Sequence, residues 1–184
     1  PSCSVSRSAG ACGPCRVRAE SGYRSVRLNS LRTARLVLDP VSWRDMDDIA
    51  RLKSDGGAFG MMLGGVRSRQ QAEEEMASDI SCWARHGSGI FAVRENGRLV
   101  GITGVHERPD GRGVALRFAI YPWAAGRGLA REAAAAALRQ AHAAGITRVI
   151  AIARETNIAS RKVLGGIGMR VCECFERDGH EMLV

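Results

Sequence analysis

The chain has 184 residues, 45% of them hydrophobic, enough for one domain with a sizeable core. No apolar run approaches the roughly 20 residues of a membrane span, and no signal-peptide core precedes a cleavage site; the expectation is a cytoplasmic protein with no membrane partner. The net charge of +8 invites a nucleic-acid partner, but residues 1–36 hold seven arginines against one acid, Glu20, which leaves only +2 on the remaining 148 residues. The basicity belongs to a tail, and a near-neutral domain argues against a nucleic-acid-binding face.

Residues 1–30 are rich in Ser, Arg and Gly with no apolar period, which predicts a disordered tail. Its composition also matches an organelle transit peptide, and an over-extended start site explains it equally well. Cys12 and Cys15 form a C-x-x-C pair, but no strand precedes it and no helix follows it, as a redox site requires. A zinc site joining them to Cys172 and Cys174 would need an unusual C-x-C second half, so free thiols and no metal are expected.

The folded part opens with a strand at 34–40, stopped by Pro40, and then Ser42 with Asp45 at capping-box spacing starts a helix to about Lys53. Glycine-rich sequence breaks the chain around 54–65. Ser68 with Gln71 is a second capping box, and Ala72, Met76, Ile80 and Trp83 recur at helical spacing, which predicts an amphipathic helix over 69–86. Two apolar strands around Asn96-Gly97 form a hairpin, and 114–121 alternates as a third antiparallel strand ended by Pro122. A helix follows over about 128–144, with Ala130, Ala134, Ala137, Leu138 and Ala141 on its inner face. Residues 146–154 read as a strand buried on both faces, Asn157 begins a short helix, and 169–184 closes the chain as a hairpin around Asp178-Gly179. The order β-α-α-β-β-β-α-β-α-β-β makes 114–153 a strand-helix-strand crossover, so its two strands run parallel within an otherwise antiparallel sheet.

The chemistry concentrates where that crossover turns. A strand ending in proline, then Gly126-Arg127-Gly128, then a helix start is an anion site: the first-turn N–H groups lack intrahelical partners and the helix dipole adds positive charge. A phosphate or pyrophosphate is the expected ligand. No Lys follows Gly128, so this is not a Walker loop, and a dinucleotide loop would need a third glycine and a strand opening a parallel sheet.

With these features the sequence resembles the GNAT superfamily of acetyl-CoA-dependent N-acetyltransferases, in which a strand, the motif [RQ]-x-x-G-x-[GA] and a helix bind the coenzyme A pyrophosphate. Ala125-Gly126-Arg127-Gly128-Leu129-Ala130 matches that motif except at its first position. The opening "LRTARLVLDP", the "ENG" hairpin and "NIASRKVLGGIGM" (157–169) resemble the branch that includes ribosomal-protein N-terminal acetyltransferases, and the likeness covers residues 31–184. It implies an α/β (α+β) fold, a mixed, mostly antiparallel sheet whose central parallel strands splay apart, flanked by helices. It further implies that the main chain of Phe118, Ala119 and Ile120 pairs with pantetheine, that residues 125–130 hold the pyrophosphate, and that Asn157 and Ser160 lie beside pantetheine and sulfur.

The implied reaction moves an acetyl group from acetyl-CoA to a primary amine, a protein N-terminus or a small molecule, by a monomer or homodimer. Many relatives carry a tyrosine where this chain has Leu164 and a glutamate where it has Ala115. Ser160 is then the nearest motif hydroxyl for the leaving thiolate, and Glu107, with His106 and Glu155 as alternatives, is the candidate base. The acceptor would be walled by the 53–68 loop, the Trp83 helix and the closing hairpin. Two other classes stay open: a catalytically silent acyl-CoA sensor, favoured by the losses at 115, 125 and 164, and a nucleic-acid binder acting through the arginine tail.

Overall fold

A computed structural model describes residues 30–184, so the expected tail and the Cys12–Cys15 pair lie outside the described residues. Five strands form one antiparallel sheet in chain order: β1 (Leu31–Arg32), β2 (Val37–Pro40), β3 (Ile90–Glu95), β4 (Arg98–Glu107) and β5 (Val114–Ile120). A second sheet of three short strands, β6 (Ala153–Arg154), β7 (Cys174–Arg177) and β8 (His180–Leu183), has the order β6-β8-β7. The helices are α1 (Met46–Ser54), α2 (Gly56–Phe59), α3 (Arg69–His86), α4 (Leu129–Ala143) and α5 (Ile158–Gly166). None of the described helices is long and apolar enough to cross a membrane.

Local chemistry explains most boundaries. The Ser42 and Ser68 capping boxes both form: Ser42 N–H donates to the Asp45 carboxylate at 2.9 Å, and Ser68 N–H donates to Gln71 Oε1 at 2.9 Å. Asn96 and Gly97 take φ of 49° and 79°, the turn that matches the twist of β3 and β4. Between Leu99 and Val105, β4 is buried along both faces, because α4 covers it on one side and α1 with α3 on the other.

Three expectations need correction. The first strand is two strands: the Thr33 hydroxyl accepts the Leu36 N–H at 3.0 Å and folds 33–36 into a turn that pairs Leu31 with Leu38. On α4, Ala134, Ala137 and Ala141 are buried as expected, but Leu129, Ala133 and Ala136 complete the inner face while Ala130 and Leu138 are only half-buried. The run 146–154 is not a continuous strand. It meets β5 at one parallel bridge, Ala115 to Ile150, through Leu116 N–H to Ile150 O at 2.8 Å and Ile150 N–H to Val114 O at 3.0 Å, and becomes a strand again only at β6, paired to β8. The parallel relation is real, but the strands splay.

One glycine shows how tightly the frame is built. Gly104, in mid-β4, has φ of 143°, and a Cβ there would stand 2.1 Å from the Gly89 carbonyl oxygen. We expect Gly104→Ala to destabilise the protein by about 2–4 kcal/mol in denaturant unfolding, through backbone strain together with overpacking. Gly111→Ala, at φ of 73° with open space around it, is expected to cost only about 1–2 kcal/mol.

Candidate active site

The glycine loop is held rigid by its neighbours. After Pro122–Ala124, a single 3₁₀ turn, Gly126 and Gly128 adopt φ of 77° and 79°, and Gly128 N-caps α4 with no side-chain cap. The first intrahelical bond runs from Glu132 N–H to Gly128 O at 3.1 Å, so the first-turn donors before it lack intrahelical acceptors. Arg127 forms a two-pronged pair with Glu95 at 2.7 and 2.8 Å, and its carbonyl accepts from Arg35 at 2.9 Å. Arg35 in turn grips Glu132 at 2.6 Å. The loop is thereby clamped from β3 and from the β1–β2 turn, and Arg127 is engaged in that clamp. A 560 Å³ hollow beside it is lined by Arg35, Gly128, Arg131 and the Arg35-paired Glu132 and closed by Gly166 at the end of α5 and the following Ile167. Its cations and free N–H groups fit a pyrophosphate.

From the loop, the gap between β5 and β6 leads inward. Val114 and Leu116 turn their main chain toward Ile150, so the two-residue period presents that of Phe118 and Ile120 to the same side, past the last bridge. Ala119 faces the other way: its carbonyl abuts Gly101 and it pairs with Ile102 of β4. Of the three residues expected to meet pantetheine, Phe118 and Ile120 therefore offer main-chain groups to the gap. On the far side, Asn157 Oδ1 caps α5 by accepting Ser160 N–H at 3.0 Å.

The gap opens into a 530 Å³ cavity. Met61, Met62 and Leu63 form one wall, Glu75, Ser78 and Asp79 of α3 a second, and Arg177 and Met182 of the closing hairpin a third. The loop and hairpin are walls as expected. So is the Trp83 helix, α3, through Glu75, Ser78 and Asp79; Trp83 itself is a core residue, 4% exposed, donating its indole N–H to Ile90 O at 2.7 Å and meeting Phe91 edge-on. Phe118, Asn157, Ser160, Leu164, His106 and Glu107 all line this cavity, whereas Glu155 does not and pairs with Arg161 at 2.8 Å. Leu164 also borders a larger, mainly apolar cavity of 940 Å³ between α4 and α5, beneath the Ala-rich helix.

Glu107 is engaged. Its carboxylate meets His86 Nε2 at 2.5 Å and Arg85 at 2.7 Å, and the His86 hydrogen bond, with the Arg85 charge, lowers its pKa. His106 Nδ1 lies 3.1 Å from the Glu107 carbonyl. Burial, followed by the charge of Arg117, pushes its imidazole down to about 3, so it is neutral near pH 7.

The sequence reading missed a charge cluster at the cavity. Lys53, fully buried, donates to Glu75 at 2.7 Å; Arg67 donates to Glu75 at 2.6 Å; and Arg117 grips Asp79 at 2.7 and 2.8 Å. Burial opposes the Glu75 charge, but Arg117 and Lys53 bring its pKa down to about 2, while burial keeps the deeper Asp79 raised. The available signals were Glu75 and Asp79, four apart and beside the Ala72–Met76 stripe, and Arg117 inside an apolar strand.

The chain matches the family model described as an acetyltransferase (GNAT) domain over residues 35–170. A Bordetella pertussis protein described as a GNAT-family acetyltransferase is similar in structure, with TM-score 0.74 and 25% identity over 84% of this chain and 96% of that one. An Agrobacterium tumefaciens acetyltransferase aligns with TM-score 0.74 and 22% identity over 84% and 92% of the chains. Mycobacterium smegmatis RimJ, in complex with CoA-disulfide, aligns with TM-score 0.67 and 21% identity over 86% and 87%. Among curated proteins nothing matches.

His106 sets an acid limit on the fold. Its folded pKa is depressed from 6.5, so its stabilising effect is complete above pH 6.5 and is lost as pH falls toward 3, where the unfolded chain alone binds the proton. Stability should fall by up to about 1.4 kcal/mol per pH unit through this window from this group. Urea titrations from pH 7 to 4 should show a shallower pH dependence in His106→Asn.

Proposed function

The chain belongs to the GNAT acetyltransferase family, which makes it an acetyl-CoA-dependent acyltransferase, and from that premise we propose that residues 31–184 move the acetyl group of acetyl-CoA to a primary amine in the 530 Å³ cavity. The observation that carries this reading is the splay beyond the Ala115–Ile150 bridge. It leaves one strand edge open between a clamped anion loop and a cavity with charged and apolar walls, the path a long phosphate-headed thioester needs. Acetyl-CoA supplies an activated acyl carbon: a C–N bond replaces C–S, the amine loses a proton and the thiolate gains one.

The protein's share is placement. Residues 125–130, through their main chain, and Arg131 hold the pyrophosphate, Phe118 and Ile120 hydrogen-bond the arm as a neighbouring strand would, and Asn157 borders it. Ser160 is assigned proton donation to the thiolate, since Leu164 carries no hydroxyl. Glu107 is assigned to meet the amine, but pairing with His86 and Arg85 makes it a weak base. That suits an acceptor that is already partly neutral. A lysine amine near pKa ~10.4 is neutral in roughly one molecule in 2,500 at pH 7, against roughly one in seven for an N-terminal amine near ~7.8. An N-terminal or similarly acidic ammonium is therefore the acceptor this site serves best.

Gly126→Val is expected to weaken coenzyme A binding at least about tenfold by calorimetry, because its side chain enters the space the phosphate must reach. Thermal melting is measured in parallel, since φ of 77° strains any side chain. Unchanged affinity in a folded variant would place the phosphates elsewhere.

With an acceptor drawn from a panel of amines, Ser160→Ala and Glu107→Gln should each lower kcat less than about tenfold and leave coenzyme A affinity intact. The alkaline-going rise in rate should persist, with its midpoint following the acceptor's own amine pKa. A loss of about 10²–10⁴ with a flat profile in Glu107→Gln would instead make that carboxylate a full general base. No transfer to any amine would defeat the transferase reading.

A further inference from the structure

The acceptor cavity carries positive charge that its own carboxylates do not cancel. In its inner wall Arg67 and Arg117, with Lys53 buried behind them, surround only Glu75 and Asp79, and Nε of Arg117 is buried without a partner among the described residues. Glu107 is spent on Arg85 and His86, and Asp110 is spent on Arg108. Across the splay, two more cations line the cavity, Arg154 of β6 and Arg177 of β7. Arg154 has no carboxylate within ion-pair distance among the described residues; Arg177 reaches its chain neighbour Asp178 at 3.4 Å, an exposed pair that water screens. Register puts the two on one face: Arg154 pairs with Met182, Met182 with Phe175, and Arg177 follows two residues later. The depressed imidazole of His106 responds to the same field, with Arg117 and Arg108 adding to the effect of burial.

We propose that the acceptor amine carries a carboxylate within a few bonds of its nitrogen, and that Arg154 and Arg177 select it. This rests on the transferase reading above. Guanidinium groups match a carboxylate in planar, two-pronged geometry. The sheets set the polarity: the paired Glu107 lies on the β4 side of the gap and the two arginines lie on the β6–β8–β7 side, so an acceptor with its amine toward β4 presents its carboxylate to the arginines. A polyamine or a lysine-flanked amine would bring a second cation against Arg154 and Arg177. The surrounding cations also favour the neutral amine that attack requires. The same chemistry is offered by a free amino acid and by a peptide N-terminus with an acidic second residue.

Matched pairs separate these sources: β-alanine against its amide, and the peptide amide Ser-Asp-Gly against Ser-Asn-Gly. Two readouts are taken, kcat/KM for acetylation and calorimetric binding of the corresponding N-acetylated products to the CoA-saturated protein. The carboxylate member should be preferred by roughly tenfold or more, the discrimination of one charge-assisted hydrogen bond, in the first pair for an amino-acid acceptor or the second for a peptide. Arg154→Gln with Arg177→Gln should reduce that preference below about threefold with coenzyme A affinity unchanged. A difference under about twofold in both pairs and both readouts, or a preference for the uncharged member, overturns the proposal. Acetylation without charge preference removes the carboxylate site and leaves the transferase reading standing. A binding preference without acetylation does the reverse.

Discussion

Among the described residues a single parallel bridge, from Ala115 to Ile150, ties β5 to the segment leading into β6, and beyond it β5 and β6 diverge. Main-chain N–H and C=O groups in a protein interior are almost always paired, so a strand edge left open in the middle of a fold is a costly arrangement unless something completes it. Here the open edge runs between the clamped loop at Gly126–Gly128 and the cavity. The arrangement is that of a sheet with one strand missing, and the acyl carrier has the shape of that strand. Every assigned role, from Phe118 and Ile120 to Ser160, depends on the divergence, because a closed sheet would have used the same main-chain groups for itself.

Keeping such a gap open requires stiff borders. On one side, the Arg35–Glu132 and Arg127–Glu95 pairs fasten the loop to the antiparallel sheet. On the other, the Lys53–Glu75–Arg117–Asp79 cluster replaces what could have been an apolar wall. Buried ion pairs seldom stabilise a fold relative to apolar packing, but losing one partner leaves an uncompensated charge. The cluster is therefore a geometric device more than a stabilising one: it fixes α3 against β5 and turns a charged surface toward the cavity. Burial and then the charge of Arg117 keep the His106 imidazole neutral, so the wall that shapes the site also tunes it.

Features written in neighbouring residues were legible. The two capping boxes, the Asn96-Gly97 hairpin, the span of α3 and the glycine loop depend on spacings of two to four residues. Phe118 and Asn157, nominated from the family resemblance, do line one cavity. Misreadings arose where distant segments decide the outcome. The strand at 34–40 was shortened to 37–40 by one hydroxyl at Thr33, which folds 33–36 into a turn. The Trp83 helix does wall the cavity, but through Glu75 and Asp79, which meet Arg117, while Trp83 itself turns inward to Ile90. Glu107 looked like a free strand-end carboxylate until α3 brought His86 and Arg85 to it.

The amino-acid order alone established a helix-flanked, mostly antiparallel sheet with one parallel crossover, and an anion loop at the mouth of an alanine-rich helix. Periodicity, capping and turn chemistry act within a few residues, and their physics does not need the rest of the chain. Tertiary structure decided that the parallel strands touch once and then part, that five charged side chains from two helices, a loop and a strand converge at the cavity, and that the nominated base is already paired. Those outcomes depend on which charges and main-chain groups are brought within a few ångströms across tens of residues, where burial and Coulomb energy change steeply with distance, and no local pattern encodes that distance.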